Sequence, residues 1–456
     1  MKAAGLAGFA SANARGNAAA RPPNVILIYA DDLGYGDLSC YGSPIATPNL
    51  DRMAEEGVRF TQFCSTSAVC SPSRAALLTG RYPVRYGIPR VLVPSDRDGL
   101  PESETTIAQM LKDAGYATMC IGKWHLGSRP EFSPTRRGFD HYYGLLYSND
   151  MWPRSLYEDA DVVEQTARLS FLTRQYTEQA VKFINRNREK PFFLYLPHTA
   201  PHIPLEASPD FAGRSGQGVY GDVVQELDWS VGRILQTLKD AGLDENTLVM
   251  FSSDNGPWYQ GSPGRLRGRK GSTYEGGMRV PFLARMPGRI PAGRVVDTFA
   301  STMDVLPTVG GLSGAARPGL PLDGVDIWPL LAGQGTPPAR EIFLYFNDEF
   351  LQCARAGDWK LHVARYDVPM FVPEPGRGRK NLPLARQELY NVLGDREEAY
   401  DRAERNQGMV AGIRAGIDRV MATMPPGVQQ TYRDTLSFQV EDTSVGSLPV
   451  EKVPQP

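Results

Sequence analysis

Short apolar runs alternate with amphipathic segments along the first three quarters of the chain. Four runs are continuous and rich in β-branched or aromatic residues, as the buried strands of parallel sheets are; they cover residues 24–30, 117–121, 192–196 and 248–251. The segments between them have the character of helices; they cover residues 47–57, 105–114, 173–187 and 222–239. Strands that alternate with helices predict an α/β fold, with a large, mixed but mostly parallel sheet flanked by helices.

The pattern changes after about residue 335. Short strand-like segments cover residues 341–346, 352–356, 360–364 and 388–391. Ala356-Gly357-Asp358 is typical of a hairpin turn, and residues 408–423 predict a helix. We therefore expect a large α/β domain over residues 22–335 and a smaller antiparallel α+β domain over residues 336–456.

Composition narrows the class of protein. The chain has 456 residues, a net charge of −2 and 41% hydrophobic residues. This near-neutral net charge gives no reason to expect a nucleic acid or an anionic membrane as a partner. No apolar run is long enough to span a bilayer. The five cysteines are too few and too scattered for a disulfide scaffold, so we expect mostly free, buried thiols.

The first 21 residues are set apart by their small and polar side chains. Their apolar part, residues 3–10, is short for a signal peptide, although small residues resembling a cleavage site follow it. The segment is therefore either an export signal or a disordered tail. We favour export, and hence a periplasmic or secreted protein, with a cytoplasmic protein as the alternative.

Polar residues follow each of the four predicted strands of the parallel sheet. They are Asp31 and Asp32, Lys123 and His125, His198 and His202, and Asp254 and Asn255. Ligands bind beyond the carboxyl ends of the strands in open parallel sheets. If these strands are parallel, all four groups converge on one edge of the sheet.

The acidic members of this group predict a site for a hard cation. Asp31, Asp32, Asp254 and Asn255 offer only oxygen ligands, which favour Ca²⁺ or Mg²⁺ over Zn²⁺. Each aspartate alone would more often be a cap or a turn residue. Several cationic or proton-donating side chains would surround an anionic group beside the metal: Arg74, Lys123, His125, His202 and Lys270.

Cys70 opens the segment Cys70-Ser-Pro-Ser-Arg74, which runs into the helix-like residues Ala75-Ala-Leu-Leu78. The start of a helix attracts anions, because its free N–H groups and its dipole favour negative charge. A cysteine placed there beside a guanidinium is a candidate nucleophile or a modified residue. A single cysteine, taken alone, is more often a buried structural residue.

These segments, taken in order, resemble the type I sulfatase family of the alkaline phosphatase superfamily over residues 22–390. Cys70-Ser-Pro-Ser-Arg74 with Leu78-Thr79-Gly80-Arg81 is similar to the first family signature, and Gly122-Lys-Trp-His-Leu-Gly127 to the second. The opening strand with its turn, Ser253-Asp-Asn-Gly256, and the segment from Lys270 to Gly277 complete the resemblance. The resemblance implies an alkaline-phosphatase-like fold.

The resemblance implies that a maturation enzyme converts Cys70 into Cα-formylglycine. The hydrated aldehyde would attack the sulfur of a sulfate ester with one hydroxyl. The second hydroxyl would later lose its proton and expel sulfate, whereas a serine would remain trapped as a stable sulfate ester. The metal, Ca²⁺ or alternatively Mg²⁺, would lower the pKa of the hydroxyl and neutralise sulfate oxygens.

The resemblance also implies a role for each candidate residue. Residue 70 would bind the metal with the four oxygen donors Asp31, Asp32, Asp254 and Asn255. The remaining roles would be divided as follows: Arg74 orients the hydrate, Lys123 and Lys270 hold sulfate oxygens, His125 accepts the hydrate proton, His202 protonates the leaving alcohol in preference to His198, and Ser148 contacts sulfate.

Three functions stay open at this point. The first is a sulfatase, acting on an aryl sulfate or a sulfated carbohydrate, and the resemblance favours it. The second is a phosphodiesterase or phosphonate monoester hydrolase of the same superfamily; a two-zinc phosphatase would need several histidine ligands, and the chain has five histidines in all. The third is a binder of sulfated glycans without catalysis.

Overall fold

A computed structural model describes residues 21–368 and 379–438. The predictions made for residues 1–20 and for the chain after residue 438 lie outside the described residues. None of the described helices has the length and apolarity needed to cross a membrane. The division into domains at residues 21 and 335 stays a prediction.

The strands of the described residues are β1 (Asn24–Ala30), β2 (Val58–Phe60), β3 (Phe63–Cys64), β4 (Ala117–Ile121), β5 (His141–Leu145), β6 (Leu156–Glu158), β7 (Asp161–Glu164), β8 (Phe192–Pro197), β9 (Thr247–Ser253), β10 (Phe282–Arg285), β11 (Arg294–Val296), β12 (Ala300–Ser301), β13 (Phe343–Asn347), β14 (Phe350–Ala356), β15 (Trp359–Tyr366) and β16 (Asn381–Asn391). The α-helices are α1 (Pro48–Glu55), α2 (Cys70–Thr79), α3 (Ile107–Asp113), α4 (Leu169–Arg186), α5 (Gly218–Asp240), α6 (Glu275–Met278), α7 (Val305–Ser313), α8 (Trp328–Ala332), α9 (Gln407–Met421) and α10 (Pro426–Ser437).

A ten-stranded sheet forms the centre of the large α/β part, in the order β11-β2-β10-β9-β1-β8-β4-β5-β6-β7. The five central strands, from β9 to β5, are parallel. Antiparallel pairs flank them on both sides, β9 with β10 and β5 with β6. The predicted mixed, mostly parallel sheet is therefore confirmed, and the four predicted strands are four of its five central ones, β5 being the one not predicted.

Strand β1 is buried on both faces, which explains its continuous apolar sequence. Val25, Leu27 and Tyr29 belong to a core that includes residues of α2, α3 and α7. The alternate residues, Ile26 and Ile28, belong to a second core with residues of α1, α4 and α5. Helices therefore cover both faces of the sheet, which leaves the ends of the strands as the place where a ligand can bind.

The C-terminal part is a four-stranded antiparallel sheet in the order β13-β14-β15-β16, with α9 and α10 beside it. The predicted hairpin turn joins β14 to β15, and Gly357 has the positive φ of 56° that such a turn favours. The apolar core of this sheet also includes Ala76 of α2 and Tyr82. The smaller sheet thus packs directly against the helix that begins with Cys70.

Candidate active site

The loops that follow β1, β4, β8 and β9 bring charged side chains into one buried cluster. Lys123 Nζ lies 2.6 Å from Asp31 Oδ2. The backbone N–H of Asp32 donates to Asp254 Oδ1 at 3.0 Å, and His202 Nε2 lies 3.5 Å from Asp32 Oδ2. The cluster forms because the parallel strands all end at the same edge of the sheet.

Cys70 is the first residue of α2, so the helix begins earlier than the Ala-Ala-Leu-Leu stretch indicates. The side chain is 2% exposed, and its Sγ lies 3.7 Å from Asp31 Oδ1. Burial raises the pKa of the Cys70 thiol to about 12, against the opposing effect of Lys123 and Lys270. The unmodified thiol is therefore neutral at pH 7 and a poor nucleophile.

Arg74 lies one helical turn after Cys70 and is fully buried. Its Nε and Nη2 donate to Asp254 Oδ2 at 3.1 and 2.8 Å, and its Nη1 donates to the Lys123 carbonyl at 3.2 Å. The guanidinium also lies over the ring of Tyr29 at 5.7 Å. These contacts hold Arg74 rigidly between the loops after β4 and β9.

Two of the predicted acidic ligands, Asp31 and Asp32, belong to a group of side chains that could hold a metal ion, and the third, Asp254, is not in that group. The candidate ligand atoms of Asp31, Asp32, Cys70 and His202 lie within 4.8 Å of one another. Burial alone would raise the pKa of Asp31, but Lys123, with His202 and Arg74, holds it below its ordinary value. The carboxylate of Asp31 is therefore ionised at neutral pH and available as a ligand.

Asn255 adds an oxygen to this set. Its Nδ2 donates to Asp32 Oδ1 at 2.8 Å. Its Oδ1 is buried and accepts no hydrogen bond from any described residue. A buried amide oxygen without a donor is costly unless a cation or another donor satisfies it. The three aspartates and this oxygen are the donors that Ca²⁺ prefers.

Two lysines and a serine lie beside the acidic residues. Lys123 Nζ donates to Ser148 Oγ at 3.2 Å, in addition to its ion pair with Asp31. Lys270 Nζ lies 2.8 Å from Asp32. Burial would lower the pKa of Lys270, but Asp32 and the neighbouring acidic groups hold it well above its ordinary value. Both ammonium groups are thus available to an oxyanion.

His125 has an unusual backbone conformation, and its ring makes one hydrogen bond to a backbone carbonyl. Its φ is 61°, a region that side-chain-bearing residues rarely adopt. The Nε2 atom hydrogen-bonds the Leu92 carbonyl at 2.8 Å, so Nε2 carries the proton in the neutral ring. The Nδ1 atom is buried without a partner among the described residues, and its lone pair is free to accept a proton.

The electrostatic surroundings of His125 keep it neutral. Burial lowers its pKa well below 6.5, and the positive charges of Lys123 and Arg74 lower it further. A neutral histidine with a free Nδ1 is a general base at pH 7.

His202 and His198 follow the same strand but have different surroundings. The Nδ1 of His202 hydrogen-bonds the Ile203 carbonyl, which leaves Nε2 towards Asp32. His198 is buried against Ser230 and the ring of Tyr176 instead. Burial lowers the pKa of His198 to about 3. The structure therefore brings His202 into the cluster, and leaves His198 outside the group of candidate ligand atoms.

The loop that carries Lys270 is attached to the C-terminal sheet. Asn347 Nδ2 donates to the carbonyl of Gly271 at 3.0 Å. Thr273 Oγ1 donates to Gln352 at 2.9 Å, and Lys360 Nζ donates to the Thr273 carbonyl at 2.7 Å. The position of Lys270 therefore depends on side chains 77 to 90 residues further along the chain.

A buried ion cluster strengthens this attachment. Glu275, just after the loop, pairs with Arg279 at 2.6 Å and with Lys360 at 3.0 Å. Lys360 and His362 both pair with Glu398, at 3.2 and 2.7 Å. Burial alone would raise the pKa of Glu275, but Lys360 and Arg279 hold it below its ordinary value. The cluster joins three distant segments, and removing one member would leave a buried charge unpaired.

Two residues of the site have no counterpart in the sequence analysis. The first is Leu92, which acts through its backbone carbonyl on His125 and so leaves no signal in its side chain. The second is Asn149, whose Nδ2 donates to the Thr199 carbonyl at 3.2 Å and the His202 carbonyl at 3.4 Å. Its position directly after Ser148 is the one signal that pointed to it.

Comparisons with known proteins show what the whole chain is similar to. A model of the sulfatase family matches residues 23–315. The chain is 44% identical to human arylsulfatase A over 387 residues, which cover 76% of each chain. It is 42% identical to the N-acetylgalactosamine-6-sulfatase of Canis lupus familiaris, over 75% of this chain and 72% of that protein. Its fold is similar to the crystal structure of the PsFucS1 sulfatase from Pseudoalteromonas sp., with a TM-score of 0.81, 27% identity, and coverage of 91% of this chain and 92% of that chain.

Proposed function

The chain belongs to the sulfatase family and is a sulfuric ester hydrolase, and on that premise we propose how its residues carry out the reaction and on what substrate. The proposal has three parts: Cys70 is converted to Cα-formylglycine, Ca²⁺ is the metal, and the substrate is a sulfated carbohydrate, with simple aryl sulfates also accepted. The observation that carries it is the position of Cys70, at the start of α2 and within 3.7 Å of Asp31.

Conversion of Cys70 explains how a group with so high a thiol pKa can serve as the nucleophile. The conversion is an oxidation of the side-chain carbon, so the proposal includes a maturation enzyme as a partner. A hydrated aldehyde at this position supplies one hydroxyl for attack on sulfur and a second for the release of sulfate. Arg74, fixed by Asp254, is placed to orient that side chain.

Asp31, Asp32, Asp254 and Asn255 would hold the metal, with residue 70 as a further ligand. Each carboxylate oxygen has more than one lone pair, so its present hydrogen bonds do not prevent it from binding a cation. When bound, Ca²⁺ would lower the pKa of the attacking hydroxyl and neutralise charge on sulfate. Mg²⁺ is the alternative, because it also prefers oxygen ligands.

The remaining residues would bind the sulfate group and transfer protons. Lys123 and Lys270 would bind the sulfate oxygens, with the Ser148 hydroxyl beside Lys123 as a further contact. His202 would donate a proton from Nε2 to the leaving alcohol in the form protonated on both ring nitrogens, because its Nδ1–H is held by the Ile203 carbonyl. His125 would take the proton of the second hydroxyl on its free Nδ1, which lets sulfate leave.

The second candidate reaction is phosphate ester hydrolysis, and the structure offers little for it. Zinc sites in phosphatases need several nitrogen ligands, and His202 is the one histidine of the candidate metal cluster among the described residues. We expect kcat/KM for 4-nitrophenyl sulfate to exceed that for 4-nitrophenyl phosphate by about 100-fold or more. Paired rates on the two compounds, with the calcium-loaded protein, measure this ratio. A ratio below one would reverse the assignment of the substrate.

The carbohydrate part of the proposal is supported by the relative named N-acetylgalactosamine-6-sulfatase. Desulfation measured across sulfated monosaccharides and oligosaccharides would identify the sugar. Turnover restricted to aryl sulfates would reject this part. We also propose a periplasmic or secreted location, on the basis of residues 1–21 alone.

Removal of divalent cations is expected to lower both activity and thermal stability. A chelator should reduce turnover of 4-nitrophenyl sulfate by about 100-fold or more. Ca²⁺ at about 100 times its Kd should restore roughly 2.7 kcal/mol of stability, measured as a rise in Tm. Mg²⁺ would restore activity in place of Ca²⁺ if the type of ligand atom alone decides which metal binds. Zn²⁺ should not restore activity.

The control for the metal test is a pair of matched variants. Asn255→Ala removes an oxygen ligand and should diminish the rise in Tm that Ca²⁺ causes. Asn185→Ala removes an exposed amide on α4 and should leave that rise unchanged. Restoration by Zn²⁺ but not by Ca²⁺ would show that Cys70 and His202 hold a transition metal instead.

A further inference from the structure

A cavity of about 610 Å³ lies between the loop that carries Lys270 and the C-terminal sheet. Lys270 itself lines this cavity, while its Nζ reaches Asp32 in the acidic cluster. One residue thus belongs to both places, so the cavity adjoins the position where sulfate would bind. Its volume is within the range of natural binding sites for small molecules.

The charged side chains that line the cavity are mostly cationic among the described residues. Its Lys, Arg, Asp and Glu residues are Arg267, Arg269, Lys270, Arg365 and Arg379, against the single acid Asp367. Such an excess of one sign attracts oppositely charged ligands into a cleft.

Two of these arginines have no carboxylate partner among the described residues. Arg267 Nη1 donates to the backbone carbonyl of Glu398 at 2.9 Å. Arg269 Nη1 donates to the carbonyls of Trp258 and Gly261 at 2.9 and 2.6 Å. By contrast, the other two arginines of the cavity are ion-paired with acids. Arg267 and Arg269 therefore retain unneutralised charge and free N–H donors for a ligand.

Aromatic rings alternate with these charges. Tyr274 lies beneath the guanidinium of Arg267, with a centroid distance of 4.2 Å. Trp258, Tyr259 and Tyr366 also line the cavity. Rings supply large apolar faces, and Tyr and Trp add a polar edge. An apolar surface interleaved with cations suits an anionic sugar, which has both an apolar ring face and charged substituents.

We propose that this cavity is a subsite for a second oxyanion, a sulfate or a carboxylate, on the same saccharide whose sulfate ester is hydrolysed. This inference rests on the proposed function, because it takes the saccharide substrate as given. The catalytic centre holds one sulfate, and a second oxyanion, on the same ring or on the neighbouring one, lies against Arg267 and Arg269. The preferred substrates are thus saccharides with at least two negative charges.

The test measures binding to the full-length, calcium-loaded Cys70→Ala variant, in which no turnover disturbs calorimetry. Three chondroitin disaccharides with the same rings are compared. The 6-sulfate methyl ester carries one charge, the 6-sulfate free acid adds a carboxylate, and the 4,6-disulfate methyl ester adds a second sulfate. We expect one or both of the doubly charged compounds to bind about tenfold more tightly than the singly charged one. Tighter binding of the free acid would identify the second oxyanion as a carboxylate, and tighter binding of the disulfate would identify it as a sulfate.

Arg267→Gln is expected to reduce this tenfold preference to about onefold to twofold, because it removes one charged contact. Arg265→Gln is the matched control: it makes the same change of charge two residues away, and its side chain is 90% exposed and outside the cavity. Because Arg267 is also exposed, neither variant should unfold the protein, and Tm checks this.

The outcomes separate the subsite from the reaction. Equal preferences in the Arg267→Gln and Arg265→Gln variants would overturn the subsite, and so would failure of all three disaccharides to bind. Loss of the preference for doubly charged disaccharides in Arg267→Gln, but not in Arg265→Gln, would support the subsite. This conclusion does not depend on the measured turnover. Absence of hydrolysis of both 4-nitrophenyl sulfate and sulfated saccharides by the converted wild-type protein would instead reject the proposed chemistry.

Discussion

With alanine at position 70, turnover of 4-nitrophenyl sulfate is expected to fall by on the order of 10⁴-fold or more. The reason is that no other side chain in the buried cluster can attack sulfur and later release it. The fold should survive, because the change removes a single buried atom from the first residue of α2. Circular dichroism and Tm check the fold, and steady-state rates check the loss. Full activity in this variant would reject the mechanism.

Serine at position 70 separates the two halves of the reaction. Its single hydroxyl can attack sulfur, but no second hydroxyl is left to expel sulfate. In the absence of a maturation enzyme, Cys70→Ser should release at most one equivalent of nitrophenol and then stop. The peptide that contains residue 70 should gain the mass of one SO₃ group. Sustained turnover by the unconverted serine variant would contradict the need for two hydroxyls.

The native side chain provides a direct check of the same idea. Mass spectrometry of the active wild-type protein should show an aldehyde in place of the thiol at residue 70. An active protein in which residue 70 is wholly thiol would rule out the conversion. The thiol has a pKa raised to about 12 by burial, so such a result would need another nucleophile.

Loss of His125 is the second change with a large expected effect. His125→Ala should slow steady-state turnover by about 10²- to 10⁴-fold, the usual contribution of a general base. Attack on sulfur does not need this residue, but release of sulfate does. The variant should therefore show an initial burst of nitrophenol, followed by slow turnover, in stopped-flow measurements. A slow rate without a burst would place His125 before the release of the alcohol.

Two further variants test whether His125 acts as a base or only through position. His125→Gln can retain a donor for the Leu92 carbonyl but has no basic nitrogen, so it should resemble alanine in rate. His198→Gln changes a buried histidine that follows the same sheet edge but lies outside the cluster, and it should keep kcat within about threefold. Equal losses in both variants would indicate a general effect on folding.

The pH dependence follows from the direction of the pKa shift of His125. Burial and nearby cations lower its pKa well below 6.5, so the neutral, basic form persists as the pH falls through 6.5. We expect kcat to show no decrease attributable to an ordinary histidine base between pH 8 and pH 6. An acidic limb in the wild-type profile near pH 6.5, absent from the His125→Gln profile, would contradict the shift.

The C-terminal sheet contributes to the active site as well as packing against the α/β part. It holds the loop of Lys270 through Asn347, Gln352 and Lys360, and it forms one wall of the cationic cavity. The same sheet thus positions a residue expected to hold sulfate and contributes to the proposed subsite. Changes in this sheet can therefore alter both the rate and the choice of saccharide.

The central strands and the residues that follow them could be predicted because their signals are local. A strand buried on both faces needs a continuous apolar run, as β1 has, and the chain must then turn at polar residues such as Asp31 and Asp32. Parallel strands end at one edge, so the convergence of these residues followed from topology alone. The central strand β5 was not predicted, because His141 and Gly144 interrupt its apolar sequence. The flanking strands β2, β6, β7, β10 and β11 were not predicted because each has only three or four residues.

The sequence by itself determined the α/β fold, the edge where the chemistry gathers and the residue types available there, because each rests on a short-range pattern. The tertiary structure alone decided which atom of His125 is free, through the Leu92 carbonyl. It brought into the cluster His202, which the resemblance had already favoured over His198. It also decided that a separate sheet holds the Lys270 loop and encloses a cationic cavity. Those features depend on contacts between residues far apart in the chain, which packing sets and which no local periodicity records.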